Sequence, residues 1–135
     1  MEEPFEPSSI DMVAAALRAD ASEVNLMMNA LVTKVSGILP AAMLQVTYQR
    51  TVSDRVARRP GMPTRILMKF EDRMVEMELE SASRVKCHVN QVVRGVTISR
   101  REVSPQQFFD IVAEEFVNLA AHSHAARVAL ERMIE

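Results

Sequence analysis

The sequence predicts an α+β domain built from a long N-terminal helix, a four-stranded, mainly antiparallel sheet and a long C-terminal helix. Apolar residues recur at steps of three or four from Val13 to Ile38, and again from Phe108 to Met133. Between these stripes the period changes to two, most clearly over residues 65–80. The 135 residues are 48% hydrophobic and 25% charged. A chain of this size buries roughly two-thirds of the surface that it exposes when unfolded, so it needs no disulfide or metal to fold.

Residues 1–7 hold Glu2, Glu3, Glu6, Pro4 and Pro7 and are expected to be disordered. Ser8 with Asp11 then offers a helix N-cap, and the stripe Val13, Leu17, Ala21, Val24, Met28, Leu31, Val35, Ile38 follows. Gly37 and Pro40 end it. Asp20 and Ser22 are also good N-caps, so a bend there is the alternative to one continuous helix.

Leu44, Val46 and Tyr48 alternate with Gln45, Thr47 and Gln49 as a first strand. A loop with Pro60, Gly61 and Pro63 follows. Ile66, Met68 and Phe70 then pair as a hairpin with Val75, Met77 and Leu79 across Glu71-Asp72-Arg73. Residues 84–101 form a further strand region whose parity changes between Val89 and Val96. Either a bulge at Gly95 or a break into two strands satisfies it. Ser104-Pro105-Gln106-Gln107 combines an N-cap, a proline at N1 and a capping-box glutamine. The stripe Phe108, Val112, Phe116, Leu119, Ala126, Leu130, Met133 carries the last helix to the C-terminus. The whole reads as a single α-β-β-β-β-α domain over residues 1–135.

Several function classes find little support in this chain. The uncharged stretch of residues 35–49 is shorter than the roughly 20 apolar residues of a membrane span. No basic-then-apolar leader opens the chain, and the single Cys87 suits a reducing cytoplasm. There is one tyrosine and no tryptophan, which is a poor supply for a base-stacking platform. No phosphate-cradling glycine loop, zinc motif or nucleophile elbow occurs, and the three glycines are scattered. His122 and His124 lie about 200° apart around a helix, so they cannot share a metal. Cys87 and His88 point to opposite faces of a strand. No catalytic residue, metal ligand or cofactor is therefore assigned, and an enzyme is not expected.

The net charge of −2 conceals polarity. Acidic residues dominate 1–25 and 71–80, and basic residues dominate 50–65 and 84–101. Cross-strand pairing of Glu76, Glu78 and Glu80 with Arg65, Lys69 or Lys86 accounts for part of this. The loop arginines Arg55, Arg58 and Arg59 are candidates for binding an acidic partner. Two helices of about 30 residues would each be roughly 45 Å long, against about 25–30 Å for the strands. That overhang predicts self-association through the helices, with Met27, Met28, Phe108 and Phe109 as the candidate apolar contact surface, although each of them taken singly reads more readily as core. The expected function is thus a non-enzymatic interaction or adaptor protein, a homo-oligomer with a further protein partner. Nucleic-acid binding through the arginine-rich loop and strand region is the alternative.

Val92-Val93-Arg94-Gly95-Val96, Glu102-Val103, the helix end Arg127-Val128-Ala129-Leu130-Glu131-Arg132 and Leu17-Arg18-Ala19-Asp20 together resemble a small α+β protein family common in actinobacteria. The resemblance implies no particular activity and no site residues. The helix-sheet-helix order is also similar to that of the YbaB-type nucleoid-associated proteins, an analogy of fold alone.

Overall fold

In the computed structural model, five strands lie in the order β1 to β5 as an antiparallel meander: β1 (Leu44–Gln49), β2 (Met62–Lys69), β3 (Arg73–Ser81), β4 (Arg84–Val93) and β5 (Val96–Val103). The structure describes residues 7–18, 24–59, 61–81 and 83–134. Two helices precede the sheet, α1 (Pro7–Arg18) and α2 (Val24–Ser36). A five-residue helix, α3 (Val52–Val56), lies between β1 and β2, and α4 (Pro105–His122) and α5 (His124–Ile134) follow the sheet.

The α+β class and the antiparallel hairpin of β2 and β3 agree with expectation, but the sheet has five strands and not four. The change of parity after Val89 is a reversal of the chain. Arg94 and Gly95 both have positive φ, 53° and 81°, which is the signature of a tight two-residue hairpin turn. The break into two strands is therefore the outcome, with Gly95 in the turn; a register shift does occur, but at Gln91/Val92 and not at Gly95.

Neither terminal helix is long. The N-terminal stripe is divided between α1 and α2, and residues 19–23, where a bend is the alternative reading, lie outside the described residues. Helix α1 begins at Pro7, which puts Ser8 inside the helix. Residues 1–6 of the acidic leader also lie outside the described residues. The C-terminal stripe breaks at Ser123, whose φ of −143° and ψ of 119° are extended. Its hydroxyl accepts from Ala126 N, so one residue ends α4 and caps α5. Helices of 12, 13, 18 and 11 residues are at most roughly 27 Å long, within the reach of roughly 33 Å of the 10-residue β4, and the overhang expected of 30-residue helices does not arise.

One sheet face supplies Ile66, Met68, Val75, Met77, Cys87, Val89 and Val103 to the core. Met28, Leu31 and Val35 of α2 and Phe108, Val112 and Phe116 of α4 cover it, and α1 and α5 bring Val13, Leu17 and Leu130 to the same core alongside α4. Phe70 and Phe116 meet edge-on with ring centroids 6.2 Å apart. The expected capping box opens α4: Ser104 Oγ accepts from Gln107 N at 3.1 Å, and Ser104 N donates to Gln107 Oε1 at 2.9 Å. Among the described residues no helix is long and apolar enough to cross a membrane.

Candidate interaction surfaces

The helices cover one face of the sheet, and the chemistry of interest lies on the parts they leave bare. Glu76 on β3 is flanked in register by Leu67 and His88 and points away from the core residues Val75 and Met77. It is only 2% exposed although it belongs to the uncovered face. Side chains from neighbouring strands shield it. Arg65 Nε donates to Glu76 Oε2 at 2.8 Å, and Arg65 Nη2 bonds the same oxygen. Arg100 Nη2 lies 3.4 Å from Oε1, and His88 Nδ1 is 3.9 Å from it. Three strands, β2, β3 and β5, are thereby linked through one carboxylate, with His88 of β4 alongside. Two arginines are held flat on the sheet by this arrangement, which consumes part of the polarity read from the sequence. Beside this cluster Asn90 Oδ1 and His88 Nδ1 are buried without a hydrogen-bond partner among the described residues.

The connection from β1 to β2 is more ordered than its proline-glycine composition suggests. Thr51 Oγ1 accepts from Asp54 N and Thr51 N donates to Asp54 Oδ2, both at 3.0 Å, closing a capping box at the start of α3. The hydrogen bond from the Thr51 backbone is the main reason why the Asp54 carboxyl is held below its ordinary range, with Arg59 contributing less. At the other end Arg59 N bonds Asp54 O at 2.8 Å and Arg58 N bonds Arg55 O at 3.3 Å, the pair of bonds of a Schellman motif. Arg58 occupies its left-handed position at φ 58°, where glycine is the usual residue.

This framing turns two valines outward: Val52 is 77% and Val56 80% exposed. They sit four residues apart, on one side of α3. Of the loop arginines singled out in the sequence, Arg59 is tied to Asp54 and Ser53. Arg55 and Arg58, with Arg50, form no ion pair among the described residues. Next to this loop, a groove of about 910 Å³ opens at the end of the sheet where β1 ends and β2 and β3 meet. Tyr48, Met62 and Leu79 give it apolar surface, and Glu78 and Glu80 stand on its side with no ion pair among the described residues. The volume lies within the range of about 300–1,000 Å³ typical of ligand-sized sites. Neither the α3 valines nor the groove was singled out in the sequence. The exposed pair is invisible there because a valine four residues from another reads equally well as core.

A second exposed apolar region lies at the β4–β5 hairpin tip, where Val93, Val96 and Ile98 are all exposed. The four apolar residues expected to meet a partner have another fate. Met28, Phe108 and Phe109 are fully or almost fully buried and Met27 nearly so. They face the sheet and the other helices because four short helices, and not two long ones, cover the core. Cys87 is buried as well, and burial pushes its thiol up to about 12, which makes it inert as a nucleophile. No group of three or more acidic, histidine or cysteine side chains able to hold a metal ion occurs among the described residues. The chain matches no protein-family model, no curated protein and no solved structure.

Proposed function

We infer that this is a non-enzymatic protein-interaction or adaptor protein of the reducing cytoplasm, and that it self-associates. The observation that carries this reading is the pair Val52 and Val56, held in the open by a helix capped at both ends. A loop that only joined two strands would have no need of a capping box, a Schellman motif and a left-handed arginine to present apolar side chains to water. Exposed apolar surface of this kind is a usual mark of a contact site. The contact lies on the sheet end and its connection, since the helix residues Met27, Met28, Phe108 and Phe109 are occupied within the protomer. Light scattering across micromolar concentrations tests the reading: a dimer or larger species is expected, and a strict monomer overturns it.

Nucleic-acid binding is a second reading, favoured by the exposed Arg55 and Arg58 beside Arg50, none of which forms an ion pair among the described residues. It predicts a gel shift with mixed DNA and RNA that weakens steeply with salt. Replacing Arg55, Arg58 and Arg59 together should abolish that shift, and an unchanged shift would clear the loop of this role.

A further inference from the structure

We propose that α3 of one protomer docks into the sheet-end groove of a second copy, and that the second copy returns the same contact about a twofold axis. This rests on the self-association inferred above and specifies where it occurs. The two surfaces complement one another in apolar character and in charge. The α3 side offers Val52 and Val56 framed by Arg50, Arg55 and Arg58. The groove offers Tyr48, Met62 and Leu79 framed by Glu78 and Glu80, and Arg65, also on its wall, is already paired with Glu76. Both sets of charges lack ion-pair partners within the protomer among the described residues, so each remains available to the other.

Their placement suits a reciprocal contact. Gln49 ends β1 at the groove and the chain returns to the groove at Met62, so knob and groove lie side by side at one end of the sheet. An isologous interface needs that adjacency, because residue i meets residue j while j meets i. The protomer does not fill its own groove with α3, none of whose residues line it. Arg58 points the same way. An L-residue at the left-handed position of a C-cap costs stability that glycine would not, and the arginine keeps a positive charge next to the valines. A nucleic acid would engage the arginines, but it would leave the valines exposed and meet Glu78 and Glu80 as like charges.

A charge-swap experiment on the full chain, read by analytical ultracentrifugation, tests the proposal. The variants R55E/R58E and E78R/E80R should each dimerise about tenfold or more weakly than the parent. Mixed together they should form a heterodimer, because both contacts in the mixed pair again join opposite charges. V52D/V56D should also dissociate the dimer while keeping the parent's circular-dichroism spectrum, since α3 contributes no buried residue to the core. A parent dimer that survives V52D/V56D and both charge reversals would overturn this docking mode and leave self-association standing. A parent that is monomeric throughout would overturn both. Loss of binding to labelled mixed DNA and RNA in R55E/R58E, with the dimer unaffected, would give the arginines to nucleic acid and likewise overturn the docking.

Discussion

Arg73 Nε lies 2.5 Å from Glu115 Oε1, and this contact ties the start of β3 to the middle of α4. The second arm of Arg73 reaches Glu114 at 3.2 Å, where the carboxylate is exposed and its contribution is small. Glu115 is the buried partner, and its acidity is set by two opposing effects. Burial raises its pKa above the ordinary 4.5 and outweighs the Arg73 hydrogen bond and charge, which lower it.

That balance gives the protein a testable pH dependence. The folded state binds the Glu115 proton more tightly than the unfolded chain does. The contribution of this group to stability is therefore greatest at acidic pH and declines as pH rises from 4.5 through the raised folded value. Glu115→Gln should lack this decline, so that the stability difference between variant and parent changes with pH over that range. Arg73→Ala should extend it to higher pH, because the carboxylate then has burial without its counter-charge. Urea unfolding at a series of pH values from mildly acidic to neutral provides the measurement. A Glu115→Gln profile parallel to the parent profile would refute the assignment.

The Glu76 cluster makes a prediction of opposite character, since there the charges are compensated. Arg65→Ala should cost about 2–3 kcal/mol, because it strands a nearly fully buried carboxylate that Arg100, at 3.4 Å, compensates only in part. Glu76→Val alone should cost less, as the arginines it frees are half exposed and can turn to water. The double variant Arg65→Leu/Glu76→Val should recover most of the loss. A double-mutant cycle by chemical denaturation would yield a coupling energy of about 1–3 kcal/mol, and additive effects would show that the pair acts independently.

Features of this molecule that depend on adjacent residues are legible in the sequence, and those that depend on where a segment packs are not. The start of α4 follows from Ser104, Pro105 and Gln107 alone, and the β2–β3 hairpin follows from alternation on either side of Asp72. The break at Ser123 leaves no trace in the stripe from Phe108 to Met133, because α4 and α5 both turn their apolar sides to the same core and the 3.6-residue period is kept across it. Ser123 is a fair N-cap, but a serine in a helix-length stripe carries that meaning only once the chain is known to turn there. The break also decides the place of Met28 and Phe108, which are core residues here because an overhanging contact surface exists only for unbroken helices. The outward valines of α3 were hidden for a related reason: burial is a property of what lies opposite, and nothing lies opposite α3 within the protomer.

Asn90 is a site where the native residue is expected to be worse than a simple replacement. Its side chain is nine-tenths buried on β4 and its Oδ1 has no hydrogen-bond partner among the described residues. An amide left in this state costs roughly 1–3 kcal/mol, and asparagine is a poor strand former. Asn90→Val should therefore raise the stability of the protein by about 1 kcal/mol or more, seen as a higher urea midpoint with an unchanged slope. A lower midpoint would show that the amide is satisfied in solution, and a changed slope would indicate that the denatured or native state had changed compactness instead.

Gly61 and Gly95 separate backbone strain from steric exclusion. Both have positive φ, 89° and 81°, so any L-residue at either position is strained. A Cβ on Gly95 would meet nothing within 4 Å, whereas one on Gly61 would lie 2.4 Å from the Gln49 carbonyl oxygen and 2.8 Å from the Arg50 stem. Gly95→Ala should consequently cost about 1 kcal/mol, the penalty of a left-handed alanine alone. Gly61→Ala should cost clearly more, because the Gln49 backbone would have to move. Gln49 ends β1 and lines the groove, so Gly61→Ala should also weaken any dimer formed there, while Gly95→Ala should leave it intact. Equal losses of stability in the two variants, measured by thermal unfolding, would show that the close approach at Gly61 is relieved without cost.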